Sequence, residues 1–218
     1  MGWVSGNLPL IRDLTLEHLY FALPPVVIGL VLAIPLGWLA NRTRVGRTLT
    51  INVAGLLYTI PSLALFVLLP PLLGTRILDP INVIIALSVY TVALLVRTVA
   101  DALSAVPQVV VNSATAMGYG PARRFAVVEL PLSVPVVVAG LRVAAVSNIS
   151  LVTVGALLGF GGLGKMFTDG FQRGIPAEIV TGIVLVLLLA LIFDGLLLLL
   201  GRALTPWDRV GRTAGRPT

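Results

Sequence analysis

Residues 179–201 read IVTGIVLVLLLALIFDGLLLLLG, an apolar run in which Asp194 is the one charged side chain. A helix that crosses a bilayer needs about 20 consecutive, mostly apolar residues. Four more stretches reach that length and are interrupted by at most one arginine, at residues 19–40, 49–73, 80–98 and 132–158. The sequence therefore predicts an all-α membrane protein with about five transmembrane helices, organised as a single transmembrane domain over residues 1–218.

The composition supports this fold class and excludes several functions. Hydrophobic residues make up 57% of the chain and charged residues 11%, whereas a soluble domain has about 45–50% apolar and about 25% charged residues. Cysteine is absent, which excludes disulfides, thiolate chemistry and cysteine-based metal sites. The net charge of +6 would suggest nucleic acid in a soluble protein. Here the basic residues lie between apolar runs, so we expect a membrane environment and no nucleic-acid partner.

The basic residues are divided unequally between the two sides of the predicted bundle. One side holds ten of them: Arg42, Arg44, Arg47, Arg97, Arg123, Arg124, Arg202, Arg209, Arg212 and Arg216. The other side holds Arg12, Arg76, Lys165 and Arg173. Because cytoplasmic loops of membrane proteins are enriched in Lys and Arg, the count predicts a multi-pass protein of the plasma (inner) membrane with its N-terminus outside and its C-terminus in the cytoplasm. The basic tail, residues 207–218, is expected to be disordered.

The longest loop of the predicted bundle, residues 100–129, lies between spans three and four on the arginine-rich side. Residues 108–117 can form a helix, which Pro107 separates from the preceding span and Gly118 ends. Pro121 can begin a second short helix. Loops of this length within a compact domain usually have a function. We therefore expect the loop to protrude into the cytoplasm and to contact a soluble partner.

The same loop carries a motif with fixed spacing. Residues 112–114 (NSA) are followed after three residues by Gly118, and nine further residues lead to Val128-Glu129-Leu130-Pro131. This pattern resembles the cytoplasmic motif of permeases of binding-protein-dependent ABC importers, which begins with Glu-Ala-Ala. Asn112 replaces that glutamate and Ser113 the first alanine, so the resemblance does not extend to a carboxylate contact with the ATPase. The ATPase-coupling residues that the resemblance implies are Asn112, Ser113, Ala114, Gly118, Pro121, Arg123, Arg124, Leu130 and Pro131.

Four stretches are similar to osmoprotectant permeases, which import glycine betaine, carnitine, choline or proline betaine. They are residues 58–65 (YTIPSLAL), 128–132 (VELPL), 140–142 (GLR) and 159–164 (GFGGLG), and the resemblance as a whole covers residues 16–207. Membership of this subfamily implies the five-helix permease core shared with methionine importers. It also implies a second permease subunit, identical or paralogous, two cytoplasmic ATPase subunits that bind ATP and Mg, and an extracytoplasmic substrate-binding protein. No cofactor is expected on this chain.

Candidates for the transport pathway come from spans two and three and from the end of span four. Aromatic rings can hold a quaternary ammonium ion. For each ring in these spans, including that of Phe160, the alternative is a packing role. Four glycines within residues 159–164 suit a tight turn, an outer gate or a docking surface for the binding protein. The pathway or gate candidates are Tyr58, Pro61, Ser62, Phe66, Tyr90, Gly159, Gly161, Gly162 and Gly164.

Two charged residues lie inside predicted spans, Arg142 in span four and Asp194 in span five. A charge at the bilayer centre costs roughly 2.5–3.5 kcal/mol or more. Both residues lie nine or ten positions from the cytoplasmic end of their spans, and the two spans run antiparallel. We predict that they form an intramembrane charge pair, with separate access to water as the alternative.

Enzymatic functions find no support in the sequence. His18 is the sole histidine and is expected at the membrane interface before span one. No metal-ligand spacing and no glycine–lysine phosphate loop is present, so ATP hydrolysis is expected on a partner chain. The alternatives to an osmoprotectant permease are a permease of a methionine or other amino-acid ABC importer, a stand-alone secondary transporter and a non-transporting scaffold. A lone carrier has no need of the coupling loop.

Overall fold

The computed structural model describes residues 2–207 of the chain. These residues form helices joined by short turns, with no β-strand among them. The α-helices are α1 (Gly2–Gly6), α2 (Leu8–Ala40), α3 (Arg44–Thr59), α4 (Ser62–Leu73), α5 (Pro80–Ser104), α6 (Gln108–Ala116), α7 (Pro121–Arg124), α8 (Leu130–Gly155), α9 (Lys165–Gln172) and α10 (Pro176–Leu204). A π-helical turn (Phe125–Glu129) joins α7 to α8, and a 3-10 turn (Ala156–Leu158) follows α8. The sequence predicts a disordered tail over residues 207–218, and residues 208–218 lie outside the described part of the chain.

The spanning helices confirm the predicted fold class. Within the described residues, four helical stretches are long and apolar enough to cross a membrane, namely α2, α5, residues 121–158 and α10, and the bent pair α3–α4 can supply a fifth. The helices extend beyond the apolar runs. Thus α2 begins at Leu8 instead of residue 19, and α5 continues to Ser104 instead of residue 98. A helix can continue past the hydrocarbon because water then satisfies its polar side chains.

The second predicted span is not one helix, which corrects the prediction of a continuous span over residues 49–73. Helices α3 and α4 meet at an angle of 99°. Pro61 lacks the N–H that would continue α3, and it restricts Ile60 to the extended conformation (φ −63°, ψ 127°). The proline that the sequence offered as a pathway candidate is therefore the point at which the span breaks.

Close packing between α2 and α5 forms the centre of the bundle. A Cβ atom added at Gly29 would overlap the side chain of Thr91, and one added at Gly37 would lie 2.7 Å from Val99 Cγ1. Ala33 is fully buried between these glycines. In lipid there is no hydrophobic driving force for apolar helices to associate. Small residues that let the backbones approach closely therefore determine which helix faces pack together.

The bundle has two structurally distinct ends. The end that holds α6 and α7 also holds the C-termini of α2, α5 and α10, and we call it the coupling end. The opposite end holds the turn formed by residues 159–164 and the short amphipathic helix α9, which the sequence did not predict. We call it the glycine-turn end. This arrangement places the predicted coupling residues and the glycine candidates of residues 159–164 at opposite ends of the bundle.

Candidate functional site

The segment formed by α6, α7 and the π-helical turn, residues 108–129, has the helix–turn–helix form that its sequence indicated, and we call it the coupling segment. Helix α6 ends at Ala116, Gly118 adopts a left-handed conformation (φ +87°), and Pro121 begins α7. Ala114 is buried, whereas Asn112 and Ser113 are exposed. The Asn112 Oδ1 atom accepts a hydrogen bond of 2.9 Å from Gln108 Nε2. The two residues that depart from the family motif therefore lie on the solvent-exposed surface of α6.

Arg124 joins the two arms of the coupling segment. Its Nη1 atom donates to Thr115 Oγ1 at 2.8 Å, and its Nε atom donates to Glu129 Oε1 at 2.6 Å. Arg123 has a different environment, because it is exposed and its guanidinium carbon lies 4.9 Å from the centre of the Tyr119 ring. Of the two arginines, Arg124 stabilises the segment internally and Arg123 is available to a partner.

The coupling segment is packed against the spanning helices. The Phe125 ring in the π-helical turn lies 5.0 Å from the Trp38 ring of α2, and the Arg42 guanidinium carbon lies over the same tryptophan, 4.1 Å from the ring centre. Leu130 and Pro131 begin α8 directly after this turn. The segment therefore contacts α2 and continues directly into α8.

A second set of contacts ties α2 and α3 to α5 at the coupling end. Arg47 Nη2 lies 2.6 Å from Asp101 Oδ1, and Asn41 Nδ2 donates to the Ala100 carbonyl at 2.7 Å. These residues are far apart in the sequence, and their pairing could not be read from spacing. These contacts hold α2, α3 and α5 together at the coupling end.

The two charged residues inside the spans are in contact. Arg142 Nε and Nη2 donate to the two carboxylate oxygens of Asp194 at 2.8 and 2.6 Å. About a third of each side chain is exposed, 30% for Arg142 and 33% for Asp194. Arg142 also borders a cavity of about 740 Å³ between α8 and α10 at the coupling end. A paired guanidinium and carboxylate present far less net charge to lipid than either group alone.

The aromatic candidates for a cation site have different environments. Phe66 and Phe160 are buried in the apolar core, and the Phe160 ring packs edge-on against Phe21 at 6.3 Å. Tyr90 is 5% exposed, and its hydroxyl donates to the Ile60 carbonyl. Tyr58 is 47% exposed and lies edge-to-face with Tyr90, with 6.0 Å between the ring centres. Of the four rings, only Tyr58 has a large exposed surface.

Two further candidates of the broken span lie close to Tyr58 along the chain. Pro61 is exposed and Ser62, partly exposed, is the first residue of α4. The structure thus brings Tyr58, Pro61, Ser62 and Tyr90 together around the break, whereas the Phe66 ring is buried in the apolar core, in the same cluster as Tyr90.

The glycine turn is held by two residues of α2 that sequence reasoning did not assign to it. The Gly162 N–H donates to Glu17 Oε2 at 3.0 Å, and the Leu163 N–H donates to His18 Nδ1 at 3.2 Å. His18 Nε2 lies 3.0 Å from the Ile149 carbonyl of α8. His18 is completely buried, so its predicted place at the membrane interface is wrong. A histidine that makes backbone hydrogen bonds through both nitrogens can be buried without an unsatisfied group.

The geometry of the turn explains its glycines. Gly159 and Gly162 have φ values of +90° and +83°, which glycine adopts without steric cost. A Cβ atom at Gly161 would overlap the Glu17 carboxylate. Gly162 and Gly164 are buried, whereas Gly159 is exposed. The turn is a packed junction of α2 and α8, which favours the tight-turn interpretation over an open gate.

Comparisons with known proteins agree with this architecture. Residues 25–206 match the family described as "Binding-protein-dependent transport system inner membrane component". The choline transport system permease protein OpuBB of Bacillus subtilis (strain 168) is 33% identical over 88% of this chain and 87% of its own. The osmoprotectant import permease protein OsmW of Salmonella typhimurium is 31% identical over 94% of this chain and 96% of its own.

A solved structure shows the same fold. A chain of the MetNI methionine ABC transporter, in an inward-facing conformation, superimposes with a TM-score of 0.81 at 24% identity and covers 91% of this chain and 97% of that one. The family match spans most of the sequence and includes the coupling segment and the spanning helices, except for the part of α2 that precedes residue 25. The chain belongs to the family of inner membrane components of binding-protein-dependent transport systems.

Proposed function

We propose that this chain is the permease subunit of an ATP-driven importer for a quaternary-ammonium osmoprotectant such as glycine betaine, carnitine or choline. The observation that carries the substrate class is the similarity, over most of the chain, to permeases named for choline and for osmoprotectants. Relatives named for carnitine support it as well. The methionine transporter is similar in fold at 24% identity and gives no support for a methionine substrate.

The proposed assembly contains the partners that such a permease requires. Two cytoplasmic ATPase subunits bind ATP and Mg and hydrolyse the nucleotide, a second permease subunit completes the pathway, and a binding protein delivers the substrate. One relative, EgtU of Helicobacter pylori, is named as both a permease and a binding protein, which supports the last of these partners. In this assembly the chain itself performs no bond chemistry and holds no cofactor.

Coupling is proposed to proceed through the segment formed by α6 and α7. Closure of the ATPases on ATP moves this segment, and Trp38 and Phe125 transmit the displacement to α2 while α8 follows through Leu130. A rigid segment is needed because a flexible one would absorb the movement. The two hydrogen bonds of Arg124 supply that rigidity, and the exposed Arg123, Asn112 and Ser113 contact the ATPase.

Calorimetry on the cognate binding protein tests the substrate class. We expect glycine betaine, carnitine or choline to bind, and methionine to give no heat of binding. The same compounds are then supplied to proteoliposomes that contain the permease with its ATPases. Uptake of methionine in preference to every quaternary ammonium compound would contradict the proposed substrate.

A further inference from the structure

The break between α3 and α4 lies at membrane depth. From Arg47, which is paired with Asp101 at the coupling end, thirteen residues of helix lead to Ile60, or about 20 Å at 1.5 Å per residue. Tyr90, whose hydroxyl contacts the Ile60 carbonyl, lies a similar distance from the end of α5 at Ser104, about 21 Å. Both distances are shorter than the thickness of the hydrocarbon core, about 30 Å. The break therefore lies between the two surfaces of the core.

The break also carries backbone polar groups that lipid cannot satisfy. Because the chain bends by 99° and Pro61 has no N–H, the last turn of α3 loses the regular donors to its carbonyl groups. Some carbonyls find other donors: Thr59 Oγ1 donates to the Leu56 carbonyl at 2.7 Å, and Tyr90 donates to that of Ile60. The break itself remains exposed, since Thr59 and Pro61 both lie on the surface of the chain.

Irregular backbone at membrane depth is tolerated only where protein covers it or where it lines a water-filled cavity. This chain does not cover Thr59 or Pro61. The face of the bundle that carries the break therefore cannot face lipid in the assembled transporter.

The exposed groups on this face suit a cation. Tyr58 presents an aromatic surface, and Tyr90 fixes its position by edge-to-face packing. The C-terminal end of α3, directly beside Tyr58, carries the partial negative charge of a helix C-terminus. Quaternary ammonium ions bind to aromatic faces of this kind. Phe66 and Phe160 cannot contribute because they are buried in the core.

We propose that the break lines the translocation pathway and that Tyr58, with the carbonyl end of α3, forms a weak subsite for the quaternary ammonium group of the passing substrate. This proposal rests on the proposed function, because it assumes a quaternary-ammonium cargo. Tyr90 is a positioning residue in it: its hydroxyl holds Ile60 and its ring holds Tyr58. The subsite acts after the substrate has left the binding protein, so it affects the rate of transport and not the affinity of capture.

The test replaces Tyr58 by phenylalanine and by mono-, di- and trifluorophenylalanine in the complete transporter, reconstituted with its ATPases and binding protein. Successive fluorines weaken the negative face of the ring at nearly constant size. We expect choline uptake at saturation to fall stepwise, to about one tenth for the trifluoro ring and for Tyr58→Leu, because a desolvated cation–π contact supports a change of that order. The half-saturating choline concentration should stay constant.

Tyr20 provides the matched control, since it is 56% exposed and belongs to the continuous helix α2. The same fluorinated series at position 20 should leave uptake unchanged. Equal uptake rates throughout the series at position 58 would refute the subsite while leaving the proposed function intact. If the wild-type transporter imports no quaternary ammonium compound, both proposals fail. If variants at position 58 lose the second permease subunit on purification, the break is a subunit interface and the pathway assignment is wrong.

Discussion

Gly161 faces the carboxylate of Glu17, and a Cβ atom at this position would overlap the carboxylate oxygens. The contact joins residues that lie 144 positions apart, so no local motif could have revealed it. The glycine-rich composition of residues 159–164 predicted a tight turn. The identity of its partners, Glu17 and His18, could not be predicted because it depends on how α2 packs against α8.

Gly161→Ala should destabilise the protein by about 0.5–1.5 kcal/mol, because the Glu17 carboxylate must move aside and give up its hydrogen bond with the Gly162 N–H. Thermal unfolding of the purified permease, followed by tryptophan fluorescence, measures the effect. Glu17→Ala removes both the obstacle and the hydrogen bond to Gly162, so the double variant should lose less stability than the two single losses combined. Gly55→Ala is the control, because Gly55 lies in α3 with open space around it. Equal unfolding temperatures for the variants at 161 and 55 would contradict the packed junction.

The contact between Arg142 and Asp194 was predicted from depth alone. Both residues lie nine or ten positions from the cytoplasmic ends of their spans, and the two spans run antiparallel. Arg142→Gln or Asp194→Asn leaves the other charge without its partner and should reduce the yield of folded protein. The double variant removes both charges and should recover part of that yield. The amounts of monodisperse protein after detergent extraction give the comparison. Strictly additive losses would show that each group finds water independently.

At the scale of whole helices, the sequence predicted best where apolar runs end at charged residues or at helix breakers. The coupling segment is the clearest case, since Pro107, Gly118 and Pro121 define α6 and α7 by local chemistry. The break at Pro61 was missed because prolines inside α2 and α4 are tolerated without a break, among them Pro24, Pro35 and Pro70. Whether a proline kinks or interrupts a membrane helix depends on its neighbours. Here Tyr90 holds the displaced Ile60 carbonyl.

Gly118→Val should leave membrane insertion intact and lower transport by a factor of about 5–30. No atom lies within 4 Å of a Cβ placed there, so the cost is the left-handed backbone conformation, about 1–2 kcal/mol for a residue with a side chain. Gly118→Asn should retain more transport because asparagine tolerates this conformation. Gly120→Val is the control, since Gly120 is extended (φ −68°, ψ 161°) and equally open. The measurement is substrate uptake by proteoliposomes that contain equal amounts of each variant. Uptake at the wild-type rate by Gly118→Val would contradict the coupling role.

At the scale of the whole molecule, the distribution of basic residues determines the expected orientation. The coupling end carries Arg42, Arg44 and Arg47 at the junction of α2 and α3, together with Arg123 and Arg124 in the coupling segment. The sparse basic residues of the glycine-turn end include Lys165 and Arg173, on either side of α9. The helix directions therefore agree with the grouping that the sequence count assumed. Because lysine and arginine are retained on the cytoplasmic side, the coupling end should face the cytoplasm, where ATPases could reach it.

The native absence of cysteine allows this orientation to be tested directly with single cysteines. Met117→Cys reports on the coupling segment, and Gln172→Cys and Ser5→Cys report on the other end; all three positions are exposed. An impermeant thiol reagent added to intact cells should label positions 172 and 5, and it should label position 117 only after the membrane is permeabilised. Labelling of position 117 in intact cells, with none at 172, would invert the topology. It would also place the coupling segment beyond the reach of any cytoplasmic ATPase, so this measurement bears on the proposed mechanism as well as on the fold.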